Sequence, residues 1–160
     1  MIDATYGQNI LKGIVKGASV TFPTPYLGLL AVMPGGDGSG GTEVSYPEYT
    51  RVALNVNGLE GKPIMAAPTS GIVTEDDEHG NSESKTASSV VNQELIYWPE
   101  NETGSACTAV GVGFFAAREA SAASKPYKWK QFLDEDGKPM TINVNSSPMF
   151  RIGKLKLKVK

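Results

Sequence analysis

The chain has 160 residues and a mass of 17.0 kDa, 20% of its residues are charged, and its formal net charge is -2. This length is enough for one domain with a real hydrophobic core. The balanced charge argues against a nucleic-acid partner, and no apolar run approaches the roughly 20 residues that a membrane helix needs. The single cysteine and single histidine exclude an intrachain disulfide framework and a Cys/His zinc cluster. We therefore predict a single domain over 1–160, with no signal-peptide pattern and no cofactor.

The N-terminal segment is predicted to carry the one amphipathic helix of the chain, over Thr5–Lys16. Its apolar residues fall on one stripe of the helix: Ile10, Leu11, Ile14 and Val15. A short helix of this kind is not stable alone, so it must pack either on the sheet or on a neighbouring subunit. Both alternatives stay open at this stage. We treat residues 1–24 as an N-terminal helix arm.

Beyond this arm the sequence alternates between β-like runs and clusters of turn residues. The predicted strands are Tyr26–Met33, Thr50–Val56, Gln93–Trp98, Ala109–Ala116, Tyr127–Leu133, Met140–Val144 and Lys154–Val159. The acidic turn Asp134–Gly137 between two of them indicates a hairpin. Short strands without intervening helical patterns are typical of an antiparallel β-sandwich, of the jelly-roll or Ig-like kind.

A glycine-rich loop, Pro34–Gly41, follows the first strand. Such a loop needs either mobility or the positive φ angles that glycine tolerates. It lacks the Gly-Lys-Ser/Thr ending and the following helix of a phosphate-binding loop, so a nucleotide site is not expected.

The segment Ile72–Ser89 is polar and acidic and has no periodicity, so we predict an exposed acidic loop over about 71–89. Glu75–His79 places four carboxylates beside the only histidine, which raises the hypothesis of a calcium or magnesium site. The residues lack the alternating ligand spacing of such sites. A solvated acidic loop is the favoured interpretation.

The C-terminal strand alternates strictly between apolar residues and lysines, with Lys154, Lys156 and Lys158 on one face. These lysines could bind an acidic surface of a partner, such as the acidic loop of a neighbouring copy. They could equally protect an edge strand from aggregation. Both interpretations are kept.

No arrangement of residues indicates catalysis. A serine or cysteine nucleophile needs a base within hydrogen-bond reach, and neither Cys107 nor any serine lies in a motif that would pair with His79. We expect at least half of seven strand aromatics to pack in the core: Tyr97, Trp98, Phe114, Phe115, Tyr127, Trp129 and Phe132.

The order of these blocks resembles a family of small tailed-phage virion proteins that are described as tail-fibre-like. The matching blocks are the N-terminal helix, Tyr26–Val32, the glycine loop, Thr42–Ser45, Tyr49–Arg51, Val110–Ala116 and Tyr127–Phe132. The chain departs from the family pattern by its Ile72–Ser89 region and by lacking an aspartate after Phe114.

The resemblance implies a non-enzymatic structural component of a bacteriophage particle, assembled in the bacterial host cytoplasm. Tail fibre or baseplate attachment, neck and capsid decoration are all open positions. The implied partners are copies of itself, as in a trimer, and other tail or capsid proteins. Contacts are expected at the helix stripe (Ile10, Leu11, Ile14, Val15), at the lysine strand (Lys154, Lys156, Lys158), and at Thr42, Glu43, Val44 and Arg51. The alternative is a surface module that binds a carbohydrate or a host receptor.

Overall fold

The computed structural model describes residues 25–76, 82–119, 125–132 and 138–159, together with residues 8, 11 and 15. Within these residues the fold is mainly β, and each sheet whose register is defined is antiparallel. The predicted class is confirmed, whereas the sandwich type stays a prediction. The described strands are β1 (Tyr26–Val32), β2 (Thr42–Glu43), β3 (Val52–Ala53), β4 (Thr69–Asp76), β5 (Ser82–Val91), β6 (Ile96–Tyr97), β7 (Cys107–Ala109), β8 (Gly111–Phe115), β9 (Lys128–Gln131), β10 (Met140–Ile142), β11 (Met149–Phe150) and β12 (Lys156–Val159).

The predicted N-terminal helix lies largely outside the described residues. Gln8, Leu11 and Val15 have helical backbone and exposed side chains. The helix over Thr5–Lys16 and the arm over residues 1–24 therefore stay predictions.

The chain divides into two compact units, one of residues 1–54 and 97–148 and the other of residues 55–96 and 149–160. Each is described by itself, and the single sandwich domain over 1–160 stays a prediction. The first unit contains the main sheet, in which β1 pairs with β2 and β3 along one edge and with β8 along the other, and β9 pairs with β8. β7 and β10 form a separate pair.

The β1–β8 ladder is the centre of the first unit. Every residue of β8 and the four residues Leu27–Leu30 of β1 are buried, so both faces of the ladder are covered. Both strands are apolar runs with interspersed glycines, which is typical of strands that are buried on two faces. Around this ladder the core includes Trp98, Trp129, Ala109 and Ile142.

Two glycines of this ladder lie directly opposite each other, Gly28 on β1 and Gly113 on β8. A Cβ atom added to either glycine would come within 2.8 Å of Cε2 of Phe115. The aromatic ring therefore lies over a gap that only a pair of residues without side chains can leave.

The second unit contains a three-stranded sheet in the order β12-β5-β4. β6, whose first residue belongs to this unit, pairs with β11. Among the side chains of this unit that the structure describes, the buried hydrophobic ones are Ile64, Ile96 and Leu155. A buried amide, Asn92, supplements them. Its Nδ2 donates to the carbonyl oxygens of Glu94 (2.8 Å) and Arg151 (2.9 Å), and its Oδ1 accepts from the amide of Leu155 (2.8 Å).

The acidic segment is not the loop that the sequence predicts. β4 and β5 form a continuous antiparallel hairpin, in register from Thr69 opposite Ser89 to Asp76 opposite Ser82. Backbone hydrogen bonds define this hairpin, and each described residue of Thr69–Ile72 is exposed. A strand without a buried face leaves no alternation in the sequence, and this explains why the periodicity did not reveal it.

The hairpin predicted across Asp134–Gly137 is also absent from the described pairings. β9 pairs with β8, and β10 pairs with β7. The turn residues themselves lie outside the described residues. Turn chemistry indicates a change of direction but not which strands become neighbours, which the available apolar partners decide.

Candidate assembly interface

The predicted contact residues Glu43 and Arg51 form an ion pair inside the first unit, in which Arg51 is buried and Glu43 is half-buried. Arg51 is 2% exposed, and its Nε lies 3.0 Å from Glu43 Oε2, while Nη2 binds Oε1. Nη1 donates to the carbonyl oxygens of Ala117 (2.8 Å) and Glu119 (3.0 Å). This two-pronged geometry uses the fixed fork of the guanidinium, which lysine could not reproduce.

The ring of Phe115 completes the surroundings of Arg51. The guanidinium carbon lies 3.6 Å from the centre of that ring, a short cation–π contact in a desolvated position. The ring of Phe115 therefore contacts the glycine pair and the guanidinium of Arg51. The guanidinium in turn binds the carboxylate of Glu43. We call Gly28, Gly113, Phe115, Arg51 and Glu43 the arginine stack.

Tyr49 ties the arginine stack to the backbone of β1. Its hydroxyl accepts a hydrogen bond from the amide of Leu29 (2.8 Å) and donates one to Glu43 Oε2 (2.9 Å). Burial and the neighbouring Glu43 carboxylate raise the pKa of Tyr49 far above its ordinary value, because both disfavour the phenolate. The hydroxyl thus remains a donor, and the short segment from β2 to Arg51 is held against β1.

A second anchor holds the Tyr46–Glu48 turn. The hydroxyl of Tyr46 donates to the carbonyl of Pro99 (2.9 Å), and burial raises the pKa of Tyr46 to about 12. The hydroxyl of Thr103 donates to Glu48 Oε1 (2.7 Å), and this hydrogen bond lowers the pKa of Glu48. Thr103 lies in the Asn101–Gly104 turn. Oδ1 of Asn101 closes this turn by accepting a hydrogen bond from the amide of Gly104 (3.0 Å).

The glycine loop is folded by its own hydrogen bonds. The amide of Gly35 donates to Ser39 O (2.8 Å), and the hydroxyl of Ser39 donates to Asp37 Oδ1 (2.6 Å), which lowers the pKa of Asp37. Gly38 and Gly40 have φ angles of 79° and 73°. The loop therefore needs glycine for its positive φ angles.

The remaining predicted contact residues are divided between surface and interior. Thr42, Leu11, Val15, Lys154 and Lys156 are exposed, whereas Val44 is buried. Ile10 and Ile14 lie outside the described residues, and Lys158 is placed only as a position in β12. Because Val44 and Arg51 are buried within the chain, any part they take in an interface is indirect, through holding Thr42 and its strand in place. The interface itself stays a prediction.

The described residues offer little for catalysis or metal binding. None of them forms a group of three or more His, Cys, Asp or Glu side chains that could hold a metal ion. Burial raises the pKa of the Cys107 thiol, which disfavours the thiolate that a nucleophile requires. His79 lies outside the described residues. In the part of the chain that the structure describes, no helix has the length and apolar character to cross a bilayer.

The match to a known family covers nearly the whole chain. Residues 2–158 match the family described as Podophage GP4 fiber I protein gp80. The chain belongs to this phage fibre family. The resemblance predicted from the Thr42–Ser45 block and its flanks is thereby confirmed. A comparison with individually curated proteins finds no match.

Membership in the gp80 fibre family supports a structural component of the virion and is consistent with a protein that is not an enzyme. The block that carried the resemblance is the one that builds the arginine stack. In this fibre-family chain the most recognisable residues therefore serve the fold.

The surface that sequence reasoning missed is the β4–β5 hairpin. Ile72, at its centre, is 78% exposed. The β-branched residues Ile72-Val73-Thr74 and Val90-Val91, on either side of Gly80-Asn81, are a signal that could have indicated two strands and a turn.

Proposed function

We propose that this fibre-family chain is a non-enzymatic structural part of a tailed-phage particle that assembles with copies of itself and docks on other tail or capsid proteins. The observation that carries the proposal is the family match over residues 2–158. The arginine stack supports it, since the charged residues of the most recognisable block are engaged in holding strands together.

Within the particle we place the chain at the tail fibre or its baseplate attachment, ahead of capsid decoration, because the family is named for a fibre. We expect a trimer, because closed symmetric assemblies are the rule for proteins that repeat in one particle. The exposed apolar residues Leu11 and Val15 are available for such contacts.

The decisive experiment is to find the protein on the particle. Mass spectrometry of density-purified virions should detect the chain at a fixed ratio to the capsid protein, and gold-labelled antibodies should mark the tail. Label on the capsid shell would move the proposed position to decoration. Absence of the chain from purified virions would overturn the structural role.

The glycan- or receptor-binding alternative gains little from the described surface. Among the seven strand aromatics, Trp98, Phe114, Phe115 and Trp129 are buried, which confirms the prediction that at least half of them pack in the core. Tyr97 is the exposed one among these seven, whereas a sugar platform needs several on one face. Saturable binding of the purified chain on a glycan array would nevertheless favour the alternative.

A further inference from the structure

The β4–β5 hairpin is a two-stranded ribbon with exposure on both faces. Ser70, Ile72 and Ser88 are exposed on one face, and Thr69 and Gly71 are exposed on the other. A Cβ atom added to Gly71 would meet nothing within 4 Å. β12 pairs with β5 only near the base, from Val91 to Ser88. A two-stranded hairpin is marginally stable in water, so a ribbon of this length needs a surface to rest on.

The two ends of the ribbon carry opposite charges. At the base, which we call the root, β12 places Lys156 opposite Val91 and Lys158 opposite Ser89. At the other end, the tip, Glu75 lies directly opposite Glu83, and Asp76 opposite Ser82. Lys85 is the one cation among the described tip residues. Like charges on directly opposed positions destabilise a hairpin, so the tip would be stabilised by cations from outside.

The root of the same chain cannot supply those cations. Ser89 and Glu83 are six residues apart on β5, which corresponds to about 20 Å along a strand. Charges at that distance are screened at physiological ionic strength, where the Debye length is about 8 Å. The lysines of the root and the carboxylates of the tip are therefore complementary without being partners within one chain.

We propose that the hairpin is an assembly element whose tip binds the lysine root of a second copy of this chain. The occupant is a second copy because one chain presents both halves of the complementary pair. A tip-to-root contact fits either a two-fold pair or a closed ring. The lysine positions of the root and the Glu75–Glu83 pair of the tip lie on the same face of the ribbon as Thr69 and Gly71, and Ile72 lies on the opposite face. This inference rests on the self-assembly in the proposed function and names the surface that carries it.

The test uses two charge-reversed full-length chains. The root variant carries Lys156→Glu and Lys158→Glu, so both of its ends are acidic. The tip variant carries Glu75→Lys and Glu83→Lys, so both of its ends are basic, and the opposed pair at the tip stays like-charged as in the parent. The control, Lys62→Glu with Lys125→Glu, makes the same change in net charge as the root variant at exposed residues that are not part of the ribbon.

Affinity-tagged and untagged copies are then mixed in all combinations and captured. We expect each variant to bind copies of itself at least about tenfold more weakly than the parent chain does, because like charges now meet. We expect the root variant to capture the tip variant, because opposite charges are restored. This capture between variants also shows that both have folded. Light scattering gives the number of copies, and the control should assemble like the parent chain.

Three results would overturn the inference: a parent chain that is monomeric at the highest soluble concentration, variants that self-associate like the parent, or a mixture that fails to bind. A substitution on the opposite face of the ribbon tests which face binds. Ile72→Ser, at a position that is 78% exposed, should leave assembly unchanged. A weakening as large as that of the root variant would count against binding through the charged face. Because these measurements use purified protein, their failure is distinct from absence of the chain from virions.

Discussion

The β1–β8 ladder and the β4–β5 hairpin are both antiparallel pairings, but their side chains have opposite surroundings. The first is covered on both faces, and its polar neighbours form an ion pair in which Arg51 is buried and Glu43 is half-buried. The second is the longer ladder, yet Thr69–Ile72 near its base are exposed on both faces. Backbone hydrogen bonds are made in both. The difference teaches that side-chain burial, more than ladder length, decides whether a pairing is stable within one chain.

Breaking the arginine stack should give the largest loss of stability. Arg51→Ala removes the guanidinium from two carbonyl oxygens and from the Glu43 carboxylate, which keeps its hydrogen bond from Tyr49. Because Glu43 is half-buried, we expect a loss of about 3 kcal/mol, the lower end of the range for breaking a buried ion pair. Urea denaturation measures the free energy of unfolding. The control is the exposed Arg118→Ala, which should change it by less than about 0.5 kcal/mol. Similar losses in the two variants would show that the stack is not a stabilising feature.

The next largest effect is expected at Asn92, which lies directly after the hairpin. Asn92→Ala removes three hydrogen bonds and leaves the amide of Leu155 and the carbonyl of Glu94 without these partners, at about 1–3 kcal/mol for each fully buried group. The carbonyl of Arg151 keeps its hydrogen bond from the amide of Lys154. Hydrogen exchange should show faster exchange of the Leu155 amide. An exchange rate equal to that of the parent chain would mean that the Leu155 amide has a hydrogen-bond acceptor other than Asn92. Asn143→Ala, at an exposed position, is the control.

A pair of glycine substitutions compares the two ladders directly. Gly28→Ala places a Cβ atom 2.5 Å from Glu43 Oε2 and 2.8 Å from Phe115 Cε2, and overpacking of this kind costs about 1–3 kcal/mol. Gly71→Ala meets open space and should be neutral or stabilising by about 0.4–1 kcal/mol, because it restricts the unfolded chain. Thermal melting of both variants checks this. A Gly28→Ala variant as stable as the parent would contradict the close packing of the glycine pair.

A last prediction is an alkaline loss of stability in the first unit. Burial raises the pKa of Tyr46 to about 12 from 10.0 and raises that of Tyr49 further. The folded chain therefore retains both protons more tightly than the unfolded chain, so this stabilisation is complete below about pH 10 and is lost as the pH rises through 12. Unfolding measured between pH 9 and 12 should show the decline. In Tyr49→Phe the dependence should be shallower, and an unchanged slope would contradict the burial of its hydroxyl.

Much of the main sheet could be predicted from the sequence. Tyr26–Val32 and Gly111–Phe115 are apolar runs whose burial on two faces needs no knowledge of their neighbours, and both strands form where they were expected. Shorter runs were less well predicted, since the strand expected over Thr50–Val56 is limited to Val52–Ala53. The family, too, could be recognised from the order of its blocks.

The contacts that these residues make were decided only by the tertiary structure. No local pattern predicts that Arg51 binds Glu43 and packs on the Phe115 ring, or that this ring covers Gly28 and Gly113. These contacts join segments that are far apart in the chain. Nor could periodicity reveal the β4–β5 hairpin, because a ribbon with both faces exposed requires no alternation. Thus the sequence by itself determined the class, the central strands and the family. Long-range packing decided which charges are buried as pairs and which are presented to a neighbour.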